Sequence, residues 1–364
     1  MAIRYLTAGE SHGPALCGII DGMPAGIKVC EEDFTALMKK RQGGYGRGKR
    51  CQTEPEKVEV LSGIIGGKTT GSPISLLIRN ADYVNHKHYM HPFDEPSPEG
   101  EIPIPLPGHA DFAGAIKYGL DNCRIIRERA SARETAIRTA LSVPARNMLH
   151  TKNVTSVCLI ESIGGAEGKV NYSLPESEIK KMVDKNGDLF LTMDSEIINV
   201  WKSLIDEAKK NNNSLGGTGC VIFYGLPIGL GSHVQADKRL DSIIAAAVMS
   251  IPAIKGVEIG YAKALSEKRE NSTDGIKFNS EKNVFTRTSN FAGGIEGGMT
   301  NGQPLVLRFH MKPLPANSRS ESVNLKTLQP AFPEAYRSDV CAIQAACIVV
   351  ESVVYLALAN EITD

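Results

Sequence analysis

The sequence predicts an α+β protein built from an internal duplication, and three observations carry that expectation. The stretch Cys17-Gly18-Ile19-Ile20-Asp21-Gly22-Met23-Pro24-Ala25-Gly26-Ile27 is echoed by Cys220-Val221-Ile222-Phe223-Tyr224-Gly225-Leu226-Pro227-Ile228-Gly229-Leu230, and a helical pattern follows each. A second pair, Ser62 to Pro73 and Gly293 to Pro304, recurs in the same order, each leading into a strand. With 364 residues, 42% of them apolar and 23% charged, the chain can bury one large core. Units of approximately 15–80 and 218–310 are therefore expected to pack as related halves of a single domain over 1–364. Chance likeness of glycine-rich turns is the competing explanation.

Formal net charge is +0, so no global field draws the chain to nucleic acid or anionic lipid, and any bound anion needs a local cluster. Met1-Ala2-Ile3-Arg4-Tyr5 lacks the apolar core of a signal peptide. The eight cysteines are scattered without a C-x-x-C pair, the pattern of reduced thiols, and a cytoplasmic location is expected. The most apolar run, Cys341 to Ala359, contains Gln344, Glu351 and Ser352, which favours a buried soluble helix over a membrane span.

In chain order, residues 3–8 read as a strand entering the polar loop Gly9-Glu10-Ser11-His12-Gly13-Pro14. This is not a nucleophile elbow, and adjacent Ser11 and His12 make a poor nucleophile–base pair. Ala15 to Asp21 is a strand, and 31–41 is a helix with acids first and bases last. Arg41-Gln42-Gly43-Gly44-Tyr45-Gly46-Arg47-Gly48-Lys49-Arg50 closes over a phosphorylated ligand or nucleotide cofactor, or touches nucleic acid as an RG-type segment. Strands follow at 58–61 and 74–78, and Gly66-Gly67-Lys68-Thr69 lacks Walker A spacing. His86, His88 and His91 lack helical i, i+4 spacing and sit beside a Pro/acid-rich run. The segment of approximately 84–107 is expected to be a mobile exposed excursion, with no metal.

Leu106 to Ala136 organises the rest. A Pro-Gly turn presents His109 and Asp111, and Ser131-Ala132-Arg133-Glu134 fits a capping box before a helix with Ala132, Ala136 and Ala140 on one face. Arg129 and Arg133 flank that helix start, a natural anion site. Helices are expected at 174–184, 194–210 and 240–251, with a strand at 153–163. Lys312-Pro313-Leu314-Pro315-Ala316 is stiff and extended, and Asp339 reads best as the cap of the C-terminal helix.

Together these motifs resemble the chorismate synthases nearly end to end: GESHGPALCGIIDGMPAGI, RQGGYGRGKR, LSGIIGGKTTGSPISLLI, PGHAD, RASARETA, GLPIGLGS, SIPAIKGVEIG, GGIEGGMTNGQP and RSDVCA. The resemblance implies a β-α-β sandwich of antiparallel sheets around a helical layer. It also implies a homotetrameric lyase that converts 5-enolpyruvylshikimate 3-phosphate to chorismate with reduced FMN and no net redox change. His12 matches the histidine that protonates the departing phosphate, His109 the one acting near the flavin, and Asp339 the acid assisting flavin N5. FMN contacts carried over are Arg129, Ala130, Ser131, Pro252, Ala253, Gly297, Lys312, Pro313, Leu314, Pro315, Ala316 and Arg337. Arg41 and Arg47 match residues that bind NADPH and lie near the substrate phosphate, and Arg133 is a further substrate contact. Two departures stand out: Leu106 replaces the usual arginine before PGHAD, and IIRERA replaces a glycine-rich run. A net-redox flavin enzyme and a non-catalytic nucleic-acid binder are the alternatives.

Overall fold

The computed structural model describes residues 2–187, 189–267, 273–281, 283–315, 320–334 and 339–362. Strands β1 (Arg4–Ala8), β2 (Ala15–Asp21), β3 (Val58–Ser62) and β4 (Ile74–Arg79) form an antiparallel sheet in the order β1-β2-β4-β3. Helix α1 (Glu31–Gln42) lies between β2 and β3 in sequence, and α2 (Thr135–Thr151) comes later. Strands β5 (Thr155–Ile163), β6 (Gly217–Tyr224), β7 (Ile254–Ile259) and β8 (Leu305–Met311) form a second antiparallel sheet, ordered β5-β6-β8-β7, with Ala166–Glu167 on the β5 edge. Helix α3 (Leu240–Met249) lies between β6 and β7, and α4 (Ile343–Ile362) follows β8. The fold is α+β, with antiparallel sheets and helices.

Alternation sets the inner faces. Leu16, Ile20, Ile74, Leu76 and Ile78 are fully buried, whereas Leu6 and Ile19 point outward at 80% and 48% exposure. Gly18 lets β2 approach α2 closely: a Cβ there would stand 2.7 Å from the Leu141 side chain and 2.9 Å from Ile137. The small face of α2, Ala136 and Ala140, is fully buried, and the helix runs through Pro144.

Helix α2 packs on the first sheet, α4 packs on the second, and the two helices pack on each other. Helix α4 also touches α1 and α3. It is apolar around nearly its whole circumference, as a helix enclosed by other elements must be. By length and hydropathy it is able to cross a membrane, yet 89% of its most apolar window is buried inside the protein. Its one buried carboxylate, Glu351, is satisfied by Arg146 Nη1 at 2.7 Å and Ser156 Oγ at 2.5 Å. One hydrophobic cluster runs through both sheets and the helices.

The echoed turns have the same hydrogen bonds. Thr69 Oγ1 donates to Pro24 O at 2.6 Å and accepts from Ile27 N–H at 2.9 Å, while Gly26 N–H donates to Thr69 O at 2.8 Å. Thr300 repeats this with Pro227 at 2.5 Å, Leu230 at 2.9 Å and Gly229 at 2.9 Å.

Three local expectations are corrected. Residues Tyr83–Met90 form a helix that carries His86 and His88, where an excursion without helical spacing was expected. None of its residues is buried, so it shows no apolar periodicity to read. The capping box at Ser131 is half formed. Ser131 Oγ accepts from Arg133 N–H at 3.3 Å, but Glu134 turns away to accept from Thr7 Oγ1 at 2.7 Å and Arg138 Nε at 2.8 Å. A 3-10 turn, Ala132–Glu134, then precedes α2. Asp339 stands four residues ahead of the first helical residue of α4, Ile343, and its partners Arg47 and Gly48 lie in the basic loop rather than in that helix. It accepts from Arg47 and, at 2.7 Å, from Gly48 N–H.

Candidate active site

The loop after β1 is folded onto a short helix, Arg124–Arg129, which falls in the IIRERA stretch. Ser11 N–H donates to Glu128 O at 3.1 Å, and His12 N–H to Glu128 Oε2 at 2.9 Å. The same oxygen lies 2.8 Å from His12 Nδ1, and Arg124 Nη1 holds the other at 3.1 Å. Burial pushes the Glu128 carboxyl up, but hydrogen bonds and charge from His12 and Arg124 outweigh it, leaving the group below its ordinary range.

The turn Leu106-Pro107-Gly108-His109 closes with a 3.1 Å hydrogen bond from His109 N–H to Leu106 O. Proline stands second and Gly108 third, at φ +83°, the type II arrangement. His109 Nδ1 pairs with Asp111 Oδ1. The fully buried Asp111 also accepts from Leu106 N–H at 3.1 Å and from Arg127 Nε at 2.9 Å. Its desolvation is outweighed by His109 and Arg127, so its pKa is lowered. Leu106 itself is buried. One six-residue helix therefore supports both histidines: Glu128, held by Arg124, meets His12, and Arg127 holds Asp111, which meets His109.

Four arginines gather beside the His12 loop. Arg41 donates to Glu56 Oε1 at 2.6 Å, Thr135 Oγ1 at 2.8 Å and Ala132 O at 3.1 Å. Arg133 pairs with Glu56 and reaches Asn80 Oδ1 at 3.2 Å, with Glu54 at 3.6 Å. Arg50 pairs with Glu54 and donates to Ser11 O at 2.9 Å, tying this group to the residue next to His12. Arg47 pairs with Asp339 and reaches Cys51 Sγ at 3.2 Å. Asn80 Nδ2 donates to Glu10 O at 3.0 Å and Gly13 O at 2.9 Å, fastening the loop. The side chains of Arg41, Arg47 and Arg133 are 6%, 7% and 9% exposed. Burial, then the neighbouring arginines, outweigh Glu56 and Glu54 and lower the Arg133 pKa. The buried Nε atoms of Arg41 and Arg47 and Oε2 of Glu56 have no hydrogen-bond partner among the described residues.

Lys312 links the residues expected to hold a flavin to the His109 turn. Its N–H donates to Ala253 O at 3.0 Å, placing Pro252 and Ala253 beside it, and its Nζ donates to Gly108 O. Pro107, Gly108 and Lys312 to Pro315 line one wall of a cavity of about 540 Å³. Arg129, followed by Ala130 and Ser131, donates to Thr7 O at 2.9 Å and Gly9 O at 3.1 Å. Gly297 lies in the turn of the hairpin Ile295–Glu296/Met299–Thr300, whose hydrogen bonds run to Leu230 and Gly229 rather than to this group. Ala316 and Arg337 lie outside the described residues. Glu54, Glu56, Asn80 and Arg124 escaped the sequence patterns, whereas Arg50 ends the basic run and Arg127 and Glu128 fall in the IIRERA stretch, without a partner being expected for any of the three. Only the acidic Glu54-Pro55-Glu56, shortly after the basic run, signalled a partner for it.

The sequence model of the family described as chorismate synthase matches residues 3–363. A chorismate synthase of Desulforamulus reducens is 45% identical over 359 residues, covering 98% of this chain and 92% of its own. Another, from Caldicellulosiruptor saccharolyticus, is 41% identical over 363 residues, covering 100% and 95%. A crystal structure of chorismate synthase superposes with a TM-score of 0.78 at 34% identity, over 99% of this chain and 91% of that one. The chain belongs to the chorismate synthase family, a family of lyases serving chorismate synthesis in the shikimate pathway.

Proposed function

We propose that the chain catalyses the anti 1,4-elimination of phosphate from 5-enolpyruvylshikimate 3-phosphate, giving chorismate without net redox change. The observation that carries this reading is the gathering of Arg41, Arg47, Arg50 and Arg133 beside the His12 loop, where Arg50 reaches Ser11 O and the buried Nε atoms of Arg41 and Arg47 have no partner among the described residues. Arg41, Arg47 and Arg133 bind the substrate's phosphate and carboxylates, exchanging contacts with Glu56 and Asp339 for ligand oxygens. His12, oriented by Glu128, delivers a proton to the departing phosphate. Lowering a leaving group's charge in this way is typically worth roughly 10²–10⁴-fold.

The cavity beside the His109 turn fits a flavin. Its volume lies in the range of about 300–1,000 Å³ typical of small-ligand sites, and it offers Lys312 to a phosphate and proline walls to a ring. Reduced FMN, when bound, supplies the electron-rich partner that removal of a weakly acidic C–H proton requires. Lys312 to Pro315 hold it from the cavity wall; the family resemblance adds Pro252, Ala253, Arg129 to Ser131, Ala316, Arg337 and Gly297, the last on a hairpin that packs elsewhere in this chain. His109, held by Asp111, and Asp339 carry protons on that side, while Arg41 and Arg47 also serve NADPH as a reductant.

We read the two halves as a duplication and the layers as a β-α-β sandwich, supported by the equal strand orders and the repeated Thr69 and Thr300 contacts. A homotetramer is supported by the outward Leu6 and Ile19. A cytoplasmic location is supported by the eight free thiols, and action without nucleic acid by the zero net charge.

The test is anaerobic phosphate release from 5-enolpyruvylshikimate 3-phosphate with dithionite-reduced FMN. Chorismate formed while the flavin stays reduced is expected. Stoichiometric flavin oxidation, or no release with FMN bound, overturns the reading.

A further inference from the structure

The helix Tyr83–Met90 brings a second histidine against the first. The His86 and His12 rings have centroids 4.3 Å apart and planes tilted by 49°. Asp82 stands beside both: its Oδ2 is 3.2 Å from His86 Nε2 and 3.9 Å from His12 Nε2. One donor atom from each of the three lies within 4.8 Å of the others. A tetrahedral zinc ion, with bonds of about 2.0–2.2 Å, holds its ligands about 3.4 Å apart. The His86–Asp82 separation of 3.2 Å is already close to this, and the other two lie within 4.8 Å.

The outer contacts are those of a metal centre. A ligating histidine holds its second nitrogen against a carboxylate or another polar group, which fixes the ring and the coordinating atom. Here His12 presents Nδ1 to Glu128 at 2.8 Å, and His86 presents Nδ1 to the Tyr89 hydroxyl. Asp82 Oδ1 accepts from Asn85 Nδ2 at 2.8 Å, which orients the carboxylate. The histidines adjoining His86 in sequence are engaged elsewhere, His88 with Glu99 at 3.9 Å and His91 with Asp94 at 3.0 Å. The His86–His88–His91 run is thus split by the fold, and only His86 turns to His12.

We propose that His12, Asp82 and His86 form a binding site for a divalent transition-metal ion of the zinc type. Three protein ligands leave a fourth position for water, as in open zinc sites. An ion bound there occupies His12 Nε2, the nitrogen that exchanges a proton in the lyase scheme, so the metal inhibits turnover. The inhibition rests on that scheme, whereas the binding does not.

Titration of the chelator-stripped full chain with Zn²⁺ by calorimetry, and with Co²⁺ followed by its visible ligand-field absorption, tests the site. One ion per chain, with the Co²⁺ spectrum of a tetrahedral centre, is expected. His86→Ala and Asp82→Asn should each weaken binding by about tenfold or more, and His88→Ala, on the same helix, should leave it unchanged. No binding at one equivalent, or equal binding by wild type and His86→Ala, overturns the site. Stoichiometric Zn²⁺ binding with undiminished phosphate release overturns the inhibition and the proton-donor role of His12, while leaving the site intact.

Discussion

One oxygen of Glu128 receives His12 twice: Oε2 accepts the His12 backbone N–H at 2.9 Å and faces ring Nδ1 at 2.8 Å. An ionised carboxylate only accepts, so Nδ1 carries a hydrogen in this pair and Nε2 is the atom left to gain and lose a proton. Glu128→Gln keeps an acceptor and removes the charge. We expect it to lower turnover by roughly tenfold or more, less than the full 10²–10⁴ of a general acid. Phosphate release at saturating substrate checks this, with an unchanged circular dichroism spectrum as control.

His109→Ala and Asp339→Asn are expected to remain folded and to cut turnover by about tenfold or more. Asparagine retains an acceptor for Gly48 N–H, which separates loss of charge from loss of the loop. Near-wild-type turnover in either variant removes that residue from the mechanism.

Arg127 and Asp111 form a buried pair, and removing the arginine takes a full positive charge from a buried carboxylate that keeps only His109 and the Leu106 N–H among the described partners. Arg127→Ala is expected to destabilise the protein by about 3–5 kcal/mol. Urea denaturation at neutral pH measures this, and a loss below about 1 kcal/mol contradicts it.

Glu56 competes with any bound anion for Arg41 and Arg133. In Glu56→Gln the acceptor remains while the charge is gone, so inorganic phosphate should bind several-fold more tightly at low salt, with the gain shrinking as salt rises. Calorimetry at two ionic strengths distinguishes this from weaker binding caused by misplaced arginines.

Asp111 and Glu128 both titrate below their ordinary values in the folded protein. Each therefore contributes stability above its unfolded pKa, near about 4, and that contribution is lost as pH falls from there through the folded value. The urea midpoint should drop as pH falls below about 4. In Asp111→Asn, already less stable at pH 7, the drop should be shallower.

Sequence patterns located elements with strong local signals. β2 spans Ala15–Asp21 as alternation requires, and the Pro107-Gly108 turn follows from proline's fixed φ and glycine's positive one. What escaped was set by contacts far apart in the chain. Glu128 meets His12 across 116 residues, and Arg133 meets Glu56 across 77, distances over which spacing carries no information. Glu134 shows the limit even locally. It stands at the capping-box position, but Thr7 and Arg138 draw its carboxylate away.

Helix α4 has a consequence for how the protein is made. It fills the space between the second sheet and helices α1, α2 and α3, so neither half has a closed core until Ile343–Ile362 has left the ribosome. A chain lacking that segment leaves the inner face of the second sheet and the α4-facing side of α2 uncovered, apolar surface open to misassembly until the helix docks.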